Sequence, residues 1–287
     1  MTEQKAKRKL ENMNLLDDFL FGKMISYQGI GEVFVRELLR IILNRNFDRL
    51  TVVPQKVYYG NDTDKHGARL DVYLEEIVTD DTMREEATVY DIEPDQNVKI
   101  ESRANLPKRT RFYHAMIDSG CLESGQNYDC LKNVIVIMIT SYDPFGLDHI
   151  IYTIRNKCEE LPDMTYDDGA RTLFLYTRGS KGNISQELHD LLKYMEKTTE
   201  ENATSAALKK IQEMVKQVKQ DKGVTLEYMK IFEREEMLIE QGREEGREEG
   251  REEERVNTER EKERADIAER KVKELLEELQ RLQAQKK

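Results

Sequence analysis

The stretch Asn133–Thr140, NVIVIMIT, runs through six consecutive apolar residues before its closing threonine. Nothing in it alternates, so a strand made from it must be buried on both faces. Such a strand belongs inside a sheet that is covered on each side by helices, and this makes an α/β architecture the expectation for the whole domain.

The flanking sequence supplies the other layers. Residues 14–44 read as helical: Asn14 or Asp17 caps a short first helix, and Val33, Phe34, Glu37, Leu38, Ile41 and Ile42 then recur at 3.6-residue spacing. Residues 52–59, 68–74 and 87–93 read as strands of an antiparallel meander, with a charged loop over 75–86. Pro94 is expected to end the third strand, since it cannot donate to a ladder. Asn105 reads as the cap of the next helix, with Pro107 in its first turn and Gly120 past its end. Beyond the apolar run come a turn at Asp143, Pro144 and Gly146, strands at 149–154 and 172–177, and a helix over 185–197. The domain is expected to span 12–198, after a basic, disordered N-terminus at 1–11.

Residues 199–287 differ in kind. Proline is absent, Glu, Lys and Arg dominate, and Gly-Arg-Glu-Glu recurs from Gly242, Gly246 and Gly250. Ala265, Val272 and Leu279 share one heptad position, and Ala268, Leu275 and Leu282 the other, which predicts a short coiled coil on a charged helix. A coiled coil of this kind implies a homodimer.

Charge limits what the chain can bind. Net charge is −11, and residues 201–287 hold 20 basic and 23 acidic side chains, which leaves −8 on the first 200 residues. A broad basic face for nucleic acid is excluded, and any DNA must be gripped through local basic patches and bound cations. No apolar run approaches the length of a membrane span, and the basic opening residues are followed by no apolar core, so neither a membrane partner nor a secretory signal is expected. Cys121, Cys130 and Cys158 are odd in number without metal-ligand spacing, which suggests a reducing, cytoplasmic setting. The chain has no Gly-rich phosphate loop, no paired Cys/His spacing and no Gly-x-Ser-x-Gly elbow. ATP hydrolysis, a zinc site and a serine hydrolase are therefore not expected.

Carboxylates on neighbouring strands are a pattern that surface acids also give, so spacing by itself assigns them no role. Hydrolysing a phosphodiester at neutral pH needs an acidic cage for a divalent cation, which polarises the phosphate and acidifies a water. Asp71, between the apolar Leu70 and Val72, and Glu93, on the following strand, are placed to build one.

The segments GARLDVYLEE (67–76), VYDIEP (89–94) and LPKRTRFYHAMID (106–118) together resemble the PD-(D/E)xK nuclease family transposases, also called recombination-promoting nucleases or Rpn proteins. NLLDDFLFGKM (14–24), ITSYDPFG (139–146) and the Gly-Arg-Glu-Glu tail fit the same group. The resemblance implies a restriction-endonuclease-like core with a central mixed sheet, and bacterial DNA cleavage that depends on Mg²⁺, with Mn²⁺ or Ca²⁺ as alternatives, in recombination, mobile-element or defence contexts. Asp71 matches the family's first acid and Glu93 its second. The family's next position, usually Gln, is here Asp95, with Gln96 one residue later, so either completes the site. In a second register Asp91 and Glu93, two apart on one strand, form the acid pair. Related nucleases add a helical Glu, for which Glu37 is the candidate metal ligand and Glu32 the second choice. Lys108, Arg109 and Arg111 are the candidate phosphate contacts on DNA. His114 reads as structural. The alternative is a catalytically degenerate nuclease fold that serves as a coiled-coil interaction or inhibitor protein.

Overall fold

The computed structural model describes residues 7, 9–47, 50–54, 57–58, 68–69, 72–79, 85–96, 100–122 and 125–284. The chain divides into two compact units, Met1–Tyr228 and Met229–Lys287.

The first unit is α/β. Helices α1 (Asp18–Ser26) and α2 (Gly31–Leu43) come first, then β1 (Leu50–Pro54), β2 (Val57–Tyr58), β3 (Ala68–Arg69), β4 (Val72–Thr79) and β5 (Glu85–Asp95). Helix α3 (Ile100–Cys121) leads to β6 (Asn133–Thr140), β7 (Ile151–Ile154), β8 (Ala170–Tyr176), α4 (Gln186–Glu196) and α5 (Ala206–Gln220). The main sheet has six strands in the order β1-β4-β5-β6-β8-β7, and β2 and β3 form a separate ribbon. It is mixed: β5, β6 and β8 run parallel, and the remaining pairings are antiparallel. The apolar run is thus a central strand, with Val136, Ile137, Met138 and Ile139 all fully buried.

The period-2 alternation of strands assigns the two faces. Val89, Val134, Val136, Met138 and Phe174 join Leu106 and Ile117 of α3 in one core cluster. On the opposite face Tyr90, Ile137, Ile139 and Leu175 are buried, and Tyr90 meets Phe47, just beyond α2, edge to face at 5.6 Å. Helix α2 buries Phe34, Val35, Leu38, Leu39, Ile41 and Ile42, the apolar stripe its spacing implies. The turn into α2 depends on Gly31, because a Cβ there would sit 1.8 Å from the Ile25 carbonyl oxygen. Ser185 caps α4 by accepting from the Leu188 amide, and Ser205 caps α5 by accepting from Leu208.

Three local expectations are corrected. The charged segment 75–86 is largely a hairpin, since Thr79 pairs with Glu85 and Glu76 with Thr88. Glu76 is buried there because Arg45 donates to both its carboxylate oxygens, at 2.8 and 2.5 Å, and the Tyr90 hydroxyl adds a third bond at 2.8 Å. Strand β5 passes through Pro94 to Asp95. The Asp95 carbonyl accepts from the Ser141 amide at the end of β6, so Pro94 turns its backbone to the other side, where the pairing with β4 among the described residues reaches only to Asp91. Helix α3 begins at Ile100, earlier than an Asn105 cap allows, and Pro107 lies within it.

The last helix, α6 (Lys222–Ala284), begins in the first unit and forms the second from Met229 onward. It runs straight through the Gly-Arg-Glu-Glu repeats. Val272, Leu275 and Leu276 are exposed along it, while the side chains of Leu279 and Leu282 lie outside the described residues. No described helix is long and apolar enough to cross a membrane.

Candidate active site

Because β5 runs through Pro94, Asp91, Glu93 and Asp95 fall on the same face, the one that α3 covers. They form a file from the interior toward the strand end. Asp91 is fully buried, Glu93 is 3% exposed and Asp95 5% exposed. A β-branched or aromatic run would have put apolar groups here, so the face is acidic by sequence and must be neutralised by what packs on it.

Helix α3 supplies the neutralising cation. Arg109 donates to Asp95 at 2.6 Å, lies 3.5 Å from Glu93, and turns its Nε to the Tyr113 hydroxyl at 2.9 Å. Burial opposes the Arg109 charge, but Tyr113, Asp95 and Glu93 outweigh it and raise the guanidinium pKa. Burial, then the Glu93 charge, pushes the Tyr113 phenol up to about 12. With a side-chain exposure of 35%, Arg109 is both the clamp on the acids and their contact with solvent.

Two further elements reach this end of the sheet. Asp18 opens α1, and its carboxyl pKa is raised by desolvation and then by the Asp95 and Asp17 charges, with Arg109 pulling it back. Asp18 is exposed, so water screens much of this. Tyr142 follows β6 and packs into the α3-side core. Burial, then the Asp95 charge, raises its phenol pKa. Arg103, from the first turn of α3, lies 4.6 Å over the Tyr142 ring.

The remaining sequence candidates have these places. Asp71 lies outside the described residues. Gln96 is exposed just past β5, and Lys108 and Arg111 are exposed on α3. Glu37 accepts from Arg40 at 2.7 Å, and Arg40 reaches on to Glu187 of α4, so Glu37 belongs to a charged link in the helical layer behind the sheet. Glu32 pairs with Arg36 at 2.7 Å. His114 bonds to Thr172 of β8 at 2.9 Å, and burial lowers its pKa. Among protein families, curated proteins and solved structures, none matches this chain. The likeness to Rpn nucleases therefore rests on the motif residues.

The donor set can be tested against the cation that this likeness implies. Glu93 and Asp95 offer only carboxylate oxygens, the chemistry that hard divalent ions take, and Mg²⁺ commonly uses one or two carboxylates with waters and phosphate. The fit is one of kind. Among the described residues no group of three or more His, Cys, Asp or Glu is arranged to hold an ion. Arg103, Tyr113, Tyr142 and Asp18 were not singled out by sequence. The Asp17-Asp18 pair and the 91, 93, 95 period were visible, but the partners on α3 and after β6 meet only through the fold.

Proposed function

We propose that the chain is a divalent-metal-dependent DNA endonuclease of the PD-(D/E)xK type, a restriction-endonuclease-like variant of its α/β fold resembling the Rpn nucleases. The observation that carries this reading is the acidic file on β5 ending beneath the basic stretch of α3. Glu93 and Asp95 would hold the ion together with Asp71, and the ion would polarise the phosphate and acidify a water. Arg109 orients both carboxylates. It is exposed enough to turn outward onto a phosphate, for which its fork geometry suits it. Lys108 and Arg111, both exposed, would contact further phosphates. With so acidic a domain and so few phosphate contacts, binding is weak. Pairing of α6 with a second copy through its heptad stripe would bring two such sites to one duplex.

A second reading is favoured by one observation, that Arg109 already neutralises Glu93 and Asp95. In it the fold is catalytically degenerate and the chain acts through its coiled coil as an interaction or inhibitor protein. Purified protein, plasmid and Mg²⁺ separate the two. Wild type is expected to nick the plasmid, and Asp71→Ala and Glu93→Gln to slow this by about 100-fold or more. Equal cleavage by all three means a contaminant, and cleavage by none means the degenerate reading.

A further inference from the structure

We propose that His114 is an acid-sensitive latch between α3 and β8, holding the second half of the helix on the sheet when neutral and releasing it when protonated. The latch goes beyond the nuclease reading and stands without it.

The joint is polar on a face that is otherwise apolar. Thr172 sits two residues before Phe174 on β8, so both side chains point to the α3 side, where Phe174 belongs to the core cluster. Thr172 is buried, and its hydroxyl meets the His114 Nε2 at 2.9 Å. The other ring nitrogen, Nδ1, is buried and has no hydrogen-bond partner among the described residues. A neutral ring fits here in either tautomer, because one nitrogen donates and the other accepts, and the hydroxyl can do either. Protonation removes that freedom. Both nitrogens then donate, and Nδ1 carries a charged N–H where no described acceptor stands. A ring that swings out to water keeps its proton without this cost, so the proton favours the open joint.

The surrounding charges agree with this direction. Burial pushes the His114 pKa below its ordinary value, and the Asp168 charge, from the turn before β8, opposes it more weakly. Burial also acts against the Asp168 charge, but bonds from the Asn156 side chain and the Ala170 amide outweigh it and hold that carboxyl below its ordinary range. Asp118, one turn further along α3, is pushed up by burial and then by Asp168. β8 itself meets the ring through the Thr172 hydroxyl, which carries no charge. A base with a depressed folded pKa is neutral where the same residue in water would be charged. The latch is therefore closed well above 6.5, the ordinary value, and weakens as pH falls below it. The first half of α3 is held otherwise, by Leu106 in the core and Arg109 on Asp95, and serves as an internal control.

The test is hydrogen exchange of the full chain read by mass spectrometry over a pH series, with rates corrected for the intrinsic pH dependence of exchange. Opening of residues 112–121 is expected to rise about five-fold from about pH 7.5 to about pH 5, while residues 103–109 change less. His114→Gln keeps a polar group in reach of Thr172 but takes no proton, and it should abolish the rise. Asp118→Asn should leave the rise in place. In the wild-type chain, NMR titration of the histidine rings should show His114 protonating over the same range in which the helix opens. No rise in the wild type, an equal rise in His114→Gln, or a rise lost in Asp118→Asn alone would overturn the latch. If His114→Gln fails to fold, the wild-type titration decides, and a ring that titrates outside the range of opening overturns it. DNA cleavage plays no part in these readouts, so failure of the nuclease reading leaves them unchanged.

Discussion

At the residue scale, the fold handles buried charge by pairing it on both faces of the sheet. Glu76 shows the structural version. Burial alone would raise its pKa, but hydrogen bonds from Arg45 and Tyr90 outweigh that and hold the carboxyl below its ordinary value. A carboxyl depressed in the folded state stabilises above its unfolded pKa, and that stabilisation is lost as pH falls through the folded value. Glu76→Ala should therefore cost about 2 kcal/mol at neutral pH, less than the roughly 3–5 of a fully enclosed pair because Arg45 is 43% exposed. Denaturant melts should find the cost shrinking as pH drops below about 4.5, the ordinary value for Glu. A cost that is constant down to acid pH would mean that the carboxylate charge contributes nothing. The Arg109 clamp on Glu93 and Asp95 uses the same chemistry but is partly open to solvent, which sets a site apart from a staple.

At the element scale, the long helix α6 carries its own weakness. Gly242, Gly246 and Gly250 are helical, and a Cβ at each would meet nothing within 4 Å. Gly costs about 1 kcal/mol relative to Ala in such a position. Replacing all three by Ala should raise the melting temperature of the tail helix, followed by far-UV circular dichroism, without altering the first unit. No change would mean that the glycines are not limiting. Helix α3 is the opposite case. It packs across the middle of the sheet, contributing Arg109 to the site, Leu106 and Ile117 to the core, and His114 to β8. A substitution that shifts α3 therefore alters site and core together.

At the scale of the whole molecule, the two units divide the work. The first holds the sheet and the acidic file. The second is a charged helix that exposes Val272 and Leu275, the stripe that the proposed function pairs with a second copy. Sedimentation of the full chain should give a dimer, and Leu275→Asp should move it toward monomer. A wild-type chain that sediments as a monomer at micromolar concentration would remove this role from the tail.

Much of the framework could be read from local pattern. The apolar run Asn133–Thr140 required a covered sheet, and the stripe on α2 and the helix over 185–197 followed from spacing, because these depend on contacts near in sequence. The hairpin hidden in 75–86 and the passage of β5 through Pro94 were not legible. Each depends on a distant partner: Arg45 neutralising Glu76, and β6, whose Ser141 amide takes the Asp95 carbonyl so that the Pro94 nitrogen faces away from that ladder. The same holds at the candidate site. The acids could be named from motifs, but that Arg109 sits on them, and that Arg103 and Tyr142 meet beside them, was decided only when α3 and the end of β6 packed together. Sequence spacing carries periodicity along one element, while the pairing of charges between elements exists only once the chain has closed on itself.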